Sequence, residues 1–259
     1  MVTTSACDLS LVIACYNEAE HLEGSVARLL AVCDAMKLSY EVIFIDDVST
    51  DGTREILATL APRYPAHRLR IELNPVNRGR GFTVTRGLML ATGRVAGFLD
   101  IDLEVDAAYV LPFYLAVEGG ADLAIGRRIY KFTFRSLLRL LLSRGYSALR
   151  ERVLDAPYED TEAGFKFFRL ATTRAVLARC QDPGWFWDTE VVVRAHRARL
   201  SIVEIPCLFL RRTDKTSTVK PLRDSWRYLK QLYAFCRSER AALTVGAPAG
   251  AEMRRGGPR

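Results

Sequence analysis

Val95-Ala96-Gly97-Phe98-Leu99, followed at once by Asp100-Ile101-Asp102-Leu103-Glu104, is the stretch that decides how this chain folds. An apolar run with no helical period, ended abruptly by acids, reads as a short buried strand that delivers carboxylates at its end. The same unit repeats outward from it. Strands are predicted at 9–14, 40–45, 69–73, 95–99 and 123–126, with helices at 18–36, 53–60, 82–91 and 107–117 between them. Strand, helix-length crossover and strand again is the pattern of βαβ units, so the fold class is α/β with a mainly parallel sheet. Ligands of open sheets bind outside the carboxyl ends of the strands.

Beyond residue 128 the pattern loosens. A helix with leucines and arginines is predicted at 134–152, and a short strand at 165–168. Helices at 172–179 and 189–198 and strands at 201–205 and 207–210 follow, then an amphipathic basic helix at 222–236. From Gly246 onward Gly, Pro, Ala and Arg dominate, which reads as a disordered tail over 241–259.

The 259 residues suit one or two domains, and 49% hydrophobic with 26% charged residues excludes a disordered, collagen-like or coiled-coil chain. A net charge of +7 suits an anionic partner: nucleic acid, an acidic lipid surface or phosphorylated substrates. Six cysteines form no CxxC pair, and His21, His67 and His196 lie far apart, so a zinc site has little support. Scattered thiols suggest a reducing compartment. Residues 1–8 lack the features of a signal peptide, and no run approaches the length of a membrane span.

Every strand end carries polar or charged groups. They are Tyr16-Asn17-Glu18, Asp46-Asp47-Val48-Ser49-Thr50-Asp51-Gly52-Thr53, Asn77-Arg78-Gly79-Arg80-Gly81, Asp100-Ile101-Asp102 and Gly126-Arg127-Arg128. Carboxylates at so many strand ends argue against nucleic acid. Alternation along an extended segment would point Asp100 and Asp102 to one side. Two such carboxylates repel unless a cation lies between them, and hard oxygen donors suit Mg²⁺ or Mn²⁺. Magnesium is usually held by one or two carboxylates plus substrate phosphates, so the pair predicts a diphosphate-bearing ligand. Gly79-x-Gly81 lacks the third glycine of a dinucleotide fingerprint and follows the third strand, and no P-loop occurs. Its arginines, with Arg86, are expected near a phosphate or nucleotide.

These motifs, with Asp160-Thr161-Glu162-Ala163-Gly164-Phe165-Lys166 and Asp188-Thr189-Glu190, resemble the family 2 glycosyltransferases of GT-A fold. Within them the likeness is to the polyprenyl-phosphate sugar synthases, the dolichyl-phosphate mannose or glucose synthases. It runs in family order from Leu9 to Phe235, and implies a catalytic domain over 1–240, with a nucleotide-sugar half (7–128) and an acceptor half (129–240). Four positions depart from the pattern: Ala14 for proline, Val48 for a turn glycine, Arg80 for lysine and Glu104 for glutamine.

The resemblance implies an inverting, metal-dependent hexosyltransferase using GDP-mannose or UDP-glucose. Ala14, Tyr16, Glu18, Phe44 and Asp46, with Asp47, Arg86, Asp100 and Ile101, would bind the nucleotide sugar. Asp100 and Asp102, with Glu104, would hold the metal. Arg127, Arg139, Ser143, Arg212 and Lys215 would gather the acceptor's phosphate, since arginine forks suit phosphate. A saccharide hydroxyl would need Asp188 or Glu190 as base. A phosphate monoester is already anionic at neutral pH and would not. Alternatives are a soluble saccharide or secondary-metabolite acceptor, or a non-catalytic nucleotide-binding protein. The basic amphipathic segments suit peripheral contact with the cytoplasmic face of a membrane, or a membrane-anchoring partner protein.

Overall fold

In a computed structural model the described residues are 7–65, 68–130, 156–211, 230–235 and 237. The helix predicted at 134–152 with Arg139 and Ser143, the phosphate candidates Arg212 and Lys215, most of 222–236 and the tail lie outside them. The chain divides into two units, Met1–Thr218 and Val219–Arg259. In the second, residues 230–235 are helical, with Leu232 and Phe235 buried.

The first unit carries β1 (Cys7–Cys15), α1 (Ala19–Ala35), β2 (Tyr40–Asp46), α2 (Thr53–Leu60), β3 (Leu69–Leu73), α3 (Arg80–Leu90) and β4 (Gly93–Leu99). Next come α4 (Val110–Glu118), β5 (Leu123–Tyr130), β6 (Phe165–Arg169), α5 (Leu170–Leu177), α6 (Trp187–Arg197) and β7 (Ile202–Phe209). The sheet order is β3-β2-β1-β4-β6-β5-β7. β6 runs antiparallel to both of its neighbours, β4 and β5, while the other pairings are parallel. The ends of β1, β2 and β4 therefore meet the start of β6 along one edge.

Residues alternating along each strand split the core into two layers. Leu11, Ile13 and Phe44 pack with Leu22 and Leu29 of α1 and with Phe113, Phe165 and Phe167. Their neighbours Val12, Ile43 and Ile45 pack with Leu88 of α3, Leu177 of α5 and Trp187 and Val191 of α6. Both faces of the sheet are covered, which is why its inner strands read as unbroken apolar runs.

Two predicted details change. The segments at 201–205 and 207–210 are one strand, β7, unbroken by Pro206. β7 is an edge strand, where a missing N–H can face outward without breaking a ladder. β5 runs on to Tyr130, so Arg127 and Arg128 lie within a strand and not after one.

Candidate active site at the strand ends

The loops after β1 and β2 are stitched to each other. The Asn17 N–H donates to Ser49 Oγ (2.9 Å), Asn17 Oδ1 accepts the Thr50 N–H (2.8 Å), and the Glu18 N–H donates to Thr53 Oγ1 (2.8 Å). Asp51 closes the seam by accepting the Thr53 hydroxyl and the N–H groups of Thr53 and Ala19. Those bonds outweigh the cost of its burial and hold its carboxyl below the usual range. Tyr16, half exposed, stands at the rim of this seam.

Asp46 and Asp47 face protein instead. Asp46 is fully buried and accepts the N–H groups of Val48 and Ser49 and the Arg54 guanidinium. Asp47 accepts from Asn74 Nδ2 (2.7 Å) and from the N–H groups of Arg78 (2.9 Å) and Gly79 (2.7 Å). Both acids shape the loops that follow β2 and β3, and neither presents an open carboxylate. Phe44 and Ile101 differ from the expectation: both side chains are buried in the core and face protein. Arg86 is corrected too: it binds Glu72 (2.7 Å), Asn74 Oδ1 (2.8 Å) and the Leu73 carbonyl, tying α3 to the end of β3.

The Asp100–Glu104 stretch is a turn, not an extended segment. The Leu103 N–H returns to the Asp100 carbonyl (3.2 Å), Ile101 is buried, and Leu103 has φ of 52°. The two acids consequently meet different surroundings. Asp102 accepts the Glu104 N–H (3.3 Å) and lines a cleft of about 420 Å³ with Glu20, His21 and Gly24 of α1. Asp100 accepts Nε (3.2 Å) and Nη2 (2.8 Å) of Arg80 through one oxygen. Glu104 is fixed by its backbone, whose carbonyl accepts the Leu210 N–H.

The Asp160–Lys166 segment joins these parts. Asp160 receives a two-pronged bond from Arg128 (2.7 and 2.9 Å), which overcomes burial and holds its carboxyl below the usual range. The Thr161 and Thr189 hydroxyls meet at 2.9 Å. Gly164 lies so close to the 100–104 turn that a Cβ there would come within 1.9 Å of Asp100 Oδ2. Lys166, fully buried, donates to Asp188 Oδ1 (2.8 Å) and to the Ala163 carbonyl. Burial depresses its ammonium's pKa, and Asp188 only partly opposes that. Asp188 Oδ2 is taken by Arg80 Nη1. Burial opposes the charge on Arg80, but Asp100 and Asp188 outweigh it and raise its pKa.

Neither candidate base is open. Each Asp188 oxygen is engaged by a cation, and Glu190 accepts the N–H groups of Gln181 and Asp182 as well as Arg194 Nε (2.8 Å). Glu190 thus anchors residues 181–184. Pro183 of that loop accepts the Gly81 N–H (2.8 Å) at the start of α3, and Gly79, at φ of 90°, lies where any Cβ would strike the Pro183 carbonyl. Arg127 sits on β5 with a solvent-exposed partner, Glu159 (3.2 Å).

Residues 10–177 match glycosyl transferase family 2. The chain belongs to that family. The family 2 domain is 31% identical over 209 residues to the glycosyltransferase AglD of Haloferax volcanii, covering 79% of this chain and 33% of that protein. It is 28% identical over 213 residues to a dolichyl-phosphate beta-glucosyltransferase of Drosophila melanogaster, covering 76% of this chain and 65% of that protein. The chain thus spans a third to just under two thirds of the curated relatives it matches. Among solved structures, it aligns with glucosyl-3-phosphoglycerate synthase from Mycobacterium tuberculosis, solved with Mn²⁺, UDP and glucosyl-3-phosphoglycerate. That alignment has a TM-score of 0.61 and 20% identity, covering 88% of this chain and 78% of that one. The mannosyltransferase PcManGT from Pyrobaculum calidifontis, with GDP-Man and Mn²⁺, aligns at a TM-score of 0.55 and 18% identity, covering 80% and 58%. At these identities the structures establish the GT-A fold.

The family 2 site suits an open cation position better than a closed one. Among the described residues no cluster of three or more His, Cys, Asp or Glu could enclose a metal ion. The donors at the turn are hard oxygens at a sheet edge, and Asp100 is 45% exposed. One or two carboxylates completed by a diphosphate is how Mg²⁺ is usually held.

Proposed function

We propose that this family 2 chain moves a hexose, glucose in our reading, from a nucleoside-diphosphate sugar to a polyprenyl phosphate at a membrane surface, inverting the anomeric centre. The name shared by several relatives, dolichyl-phosphate beta-glucosyltransferase, supports both the sugar and the acceptor class. The observation that carries the acceptor class is that each oxygen of the buried Asp188 is engaged by a cation, one by Arg80 and the other by Lys166. A sugar hydroxyl must lose a proton as it attacks, and no open carboxylate among these two candidates receives it. A phosphate oxygen is already anionic, so orientation and desolvation suffice.

In this reading the phosphate oxygen forms the new bond to the anomeric carbon from the face opposite the leaving group. The nucleoside diphosphate departs with the electron pair of the broken C–O bond. Tyr16, Glu18 and Ala14 border the nucleotide, and one or two of the acids Asp100, Asp102 and Glu104 would hold a divalent cation whose shell the diphosphate completes. When bound, the cation stabilises charge on the departing diphosphate. Arg127 meets the acceptor phosphate, with Arg139, Ser143, Arg212 and Lys215 as further candidates.

Asp188 also anchors the site, so a large loss on changing it says little about its role. The pH profile separates the cases. With polyprenyl phosphate as acceptor, kcat/KM should fall below about pH 6, the second ionisation of a phosphate monoester. That limb should stay in place in Asp188→Asn, whatever the loss in rate. If the limb disappears or moves with that substitution, Asp188 is the base and the base-free mechanism is wrong; a chain that glucosylates no polyprenyl phosphate overturns the acceptor reading.

A further inference from the structure

The proposed function leaves unexplained why an arginine, buried to 12% side-chain exposure, stands at position 80. Its fork is divided. Nε and Nη2 hold Asp100 at 3.2 and 2.8 Å, and Nη1 holds Asp188. Asp188 is itself fixed, because its other oxygen is bound by Lys166, which the Ala163 carbonyl holds in turn. The guanidinium also lies 5.2 Å from the Phe98 ring centre and 4.9 Å from that of Trp185. Phe98 is buried, whereas Trp185 is 64% exposed and projects from the loop that Glu190 anchors.

We infer that Arg80 is a positioning residue that uses the fixed Asp188 to hold the Asp100 carboxylate on the donor side and the exposed Trp185 indole in one arrangement. This rests on the proposed function for the donor side and for Asp100 as a metal-binding carboxylate. A lysine could not do the same work. A single ammonium is a point charge that does not divide between two carboxylates in fixed directions or lay a plane against an indole. Arg80 is thus a departure from the lysine usual in this resemblance that ties two loops the lysine would leave independent.

The test uses UDP with Mn²⁺ as the probe and tryptophan emission as a readout besides activity. In the parent chain, emission that differs from that of Trp185→Phe belongs to Trp185. Arg80→Lys should weaken UDP–Mn²⁺ affinity about 10- to 100-fold, as loss of a group that orients a metal-binding carboxylate does. It should also shift the Trp185 emission toward that of a freely solvated indole. If Arg80 works through Trp185, the double variant with Trp185→Phe loses no more turnover than the worse single one. Should Arg80→Lys not fold, Arg80→Gln, which keeps Asp188 paired with the buried Lys166, carries the same expectations. UDP–Mn²⁺ affinity within twofold of the parent, or unchanged Trp185 emission, overturns the inference. A parent chain that binds UDP–Mn²⁺ but glucosylates no lipid phosphate overturns the acceptor reading alone, and Arg80 is then judged by affinity and emission.

Discussion

At the scale of single residues, backbone and space fix what can stand beside the reacting groups. Val48 has φ of 66°, in the left-handed region that a β-branched residue rarely enters. That conformation costs an L-residue about 1–2 kcal/mol, partly offset by the roughly 0.5–1 kcal/mol of extra chain entropy a glycine loses on folding. Val48→Gly should therefore stabilise the chain by about 0.5–1 kcal/mol, a rise in Tm of roughly 1–4 °C by calorimetry. Gly164 is the opposite case. A Cβ there would lie 1.9 Å from Asp100 Oδ2 and 2.7 Å from Arg80 Nη2, so Gly164→Ala must push the 100–104 turn away. Misplacement of that order costs about 100-fold in kcat/KM. A Gly164→Ala chain with full activity would show that Asp100 need not stay where it is seen. The glycine is visible in the sequence as part of a motif, but its reason is a partner 64 positions earlier, and no local pattern carries that.

Among the elements, legibility follows from how local the cause is. The strand at 69–73 and the helix at 53–60 are readable to the residue, because period and flanking turns specify them. The placement of Asp100 and Asp102 is not, since the strand ends at Leu99 and a turn with buried Ile101 sends the acids to different neighbours. The roles of Asp47 and Glu190 as loop anchors are equally hidden: an acid followed by turn residues looks the same whether it binds a ligand or a backbone N–H. The Arg128–Asp160 pair, joining β5 to the segment before β6, shows how such an anchor can be tested. Asp160 has its pKa lowered in the folded chain, so its contribution is present above the unfolded value near 4 and is lost as pH falls through the folded one. Urea unfolding of the parent should weaken steadily below about pH 4. Asp160→Asn should be less stable at pH 7 and should lose less on acidification. Equal pH slopes for the two chains would mean that the pair contributes nothing to folding.

For the whole molecule, the excess of +7 can now be located by elimination. The buried and half-buried cations Arg80, Lys166, Arg128, Arg194 and Arg86 are each matched by a carboxylate. They hold the site together and offer nothing to an anionic surface, so attraction to such a surface must come from other basic residues. The described helices include none long and apolar enough to cross a membrane. One apolar surface does lie at the end of β5 and β7, where Ile129 pairs with Leu208 and Tyr130 with Phe209, and Ile129, Tyr130, Leu208 and Leu210 are exposed beside Arg127. If this end meets lipid, binding has two parts that salt separates. Charge attraction should be strong at low ionic strength and largely screened at about 0.5 M, where the Debye length is near 4 Å. Burial of apolar side chains does not depend on screening and should persist. In sedimentation with vesicles containing anionic lipid, the parent chain should bind at low salt and keep a residual fraction at high salt. Ile129→Ser with Leu208→Ser should abolish that residual fraction, since burying the exposed part of each side chain, under half of it, contributes about 1 kcal/mol, while leaving the low-salt binding largely intact. If the residual fraction survives the double substitution, the end of β5 and β7 is not the membrane-facing surface, and the acceptor must approach the strand ends from another side.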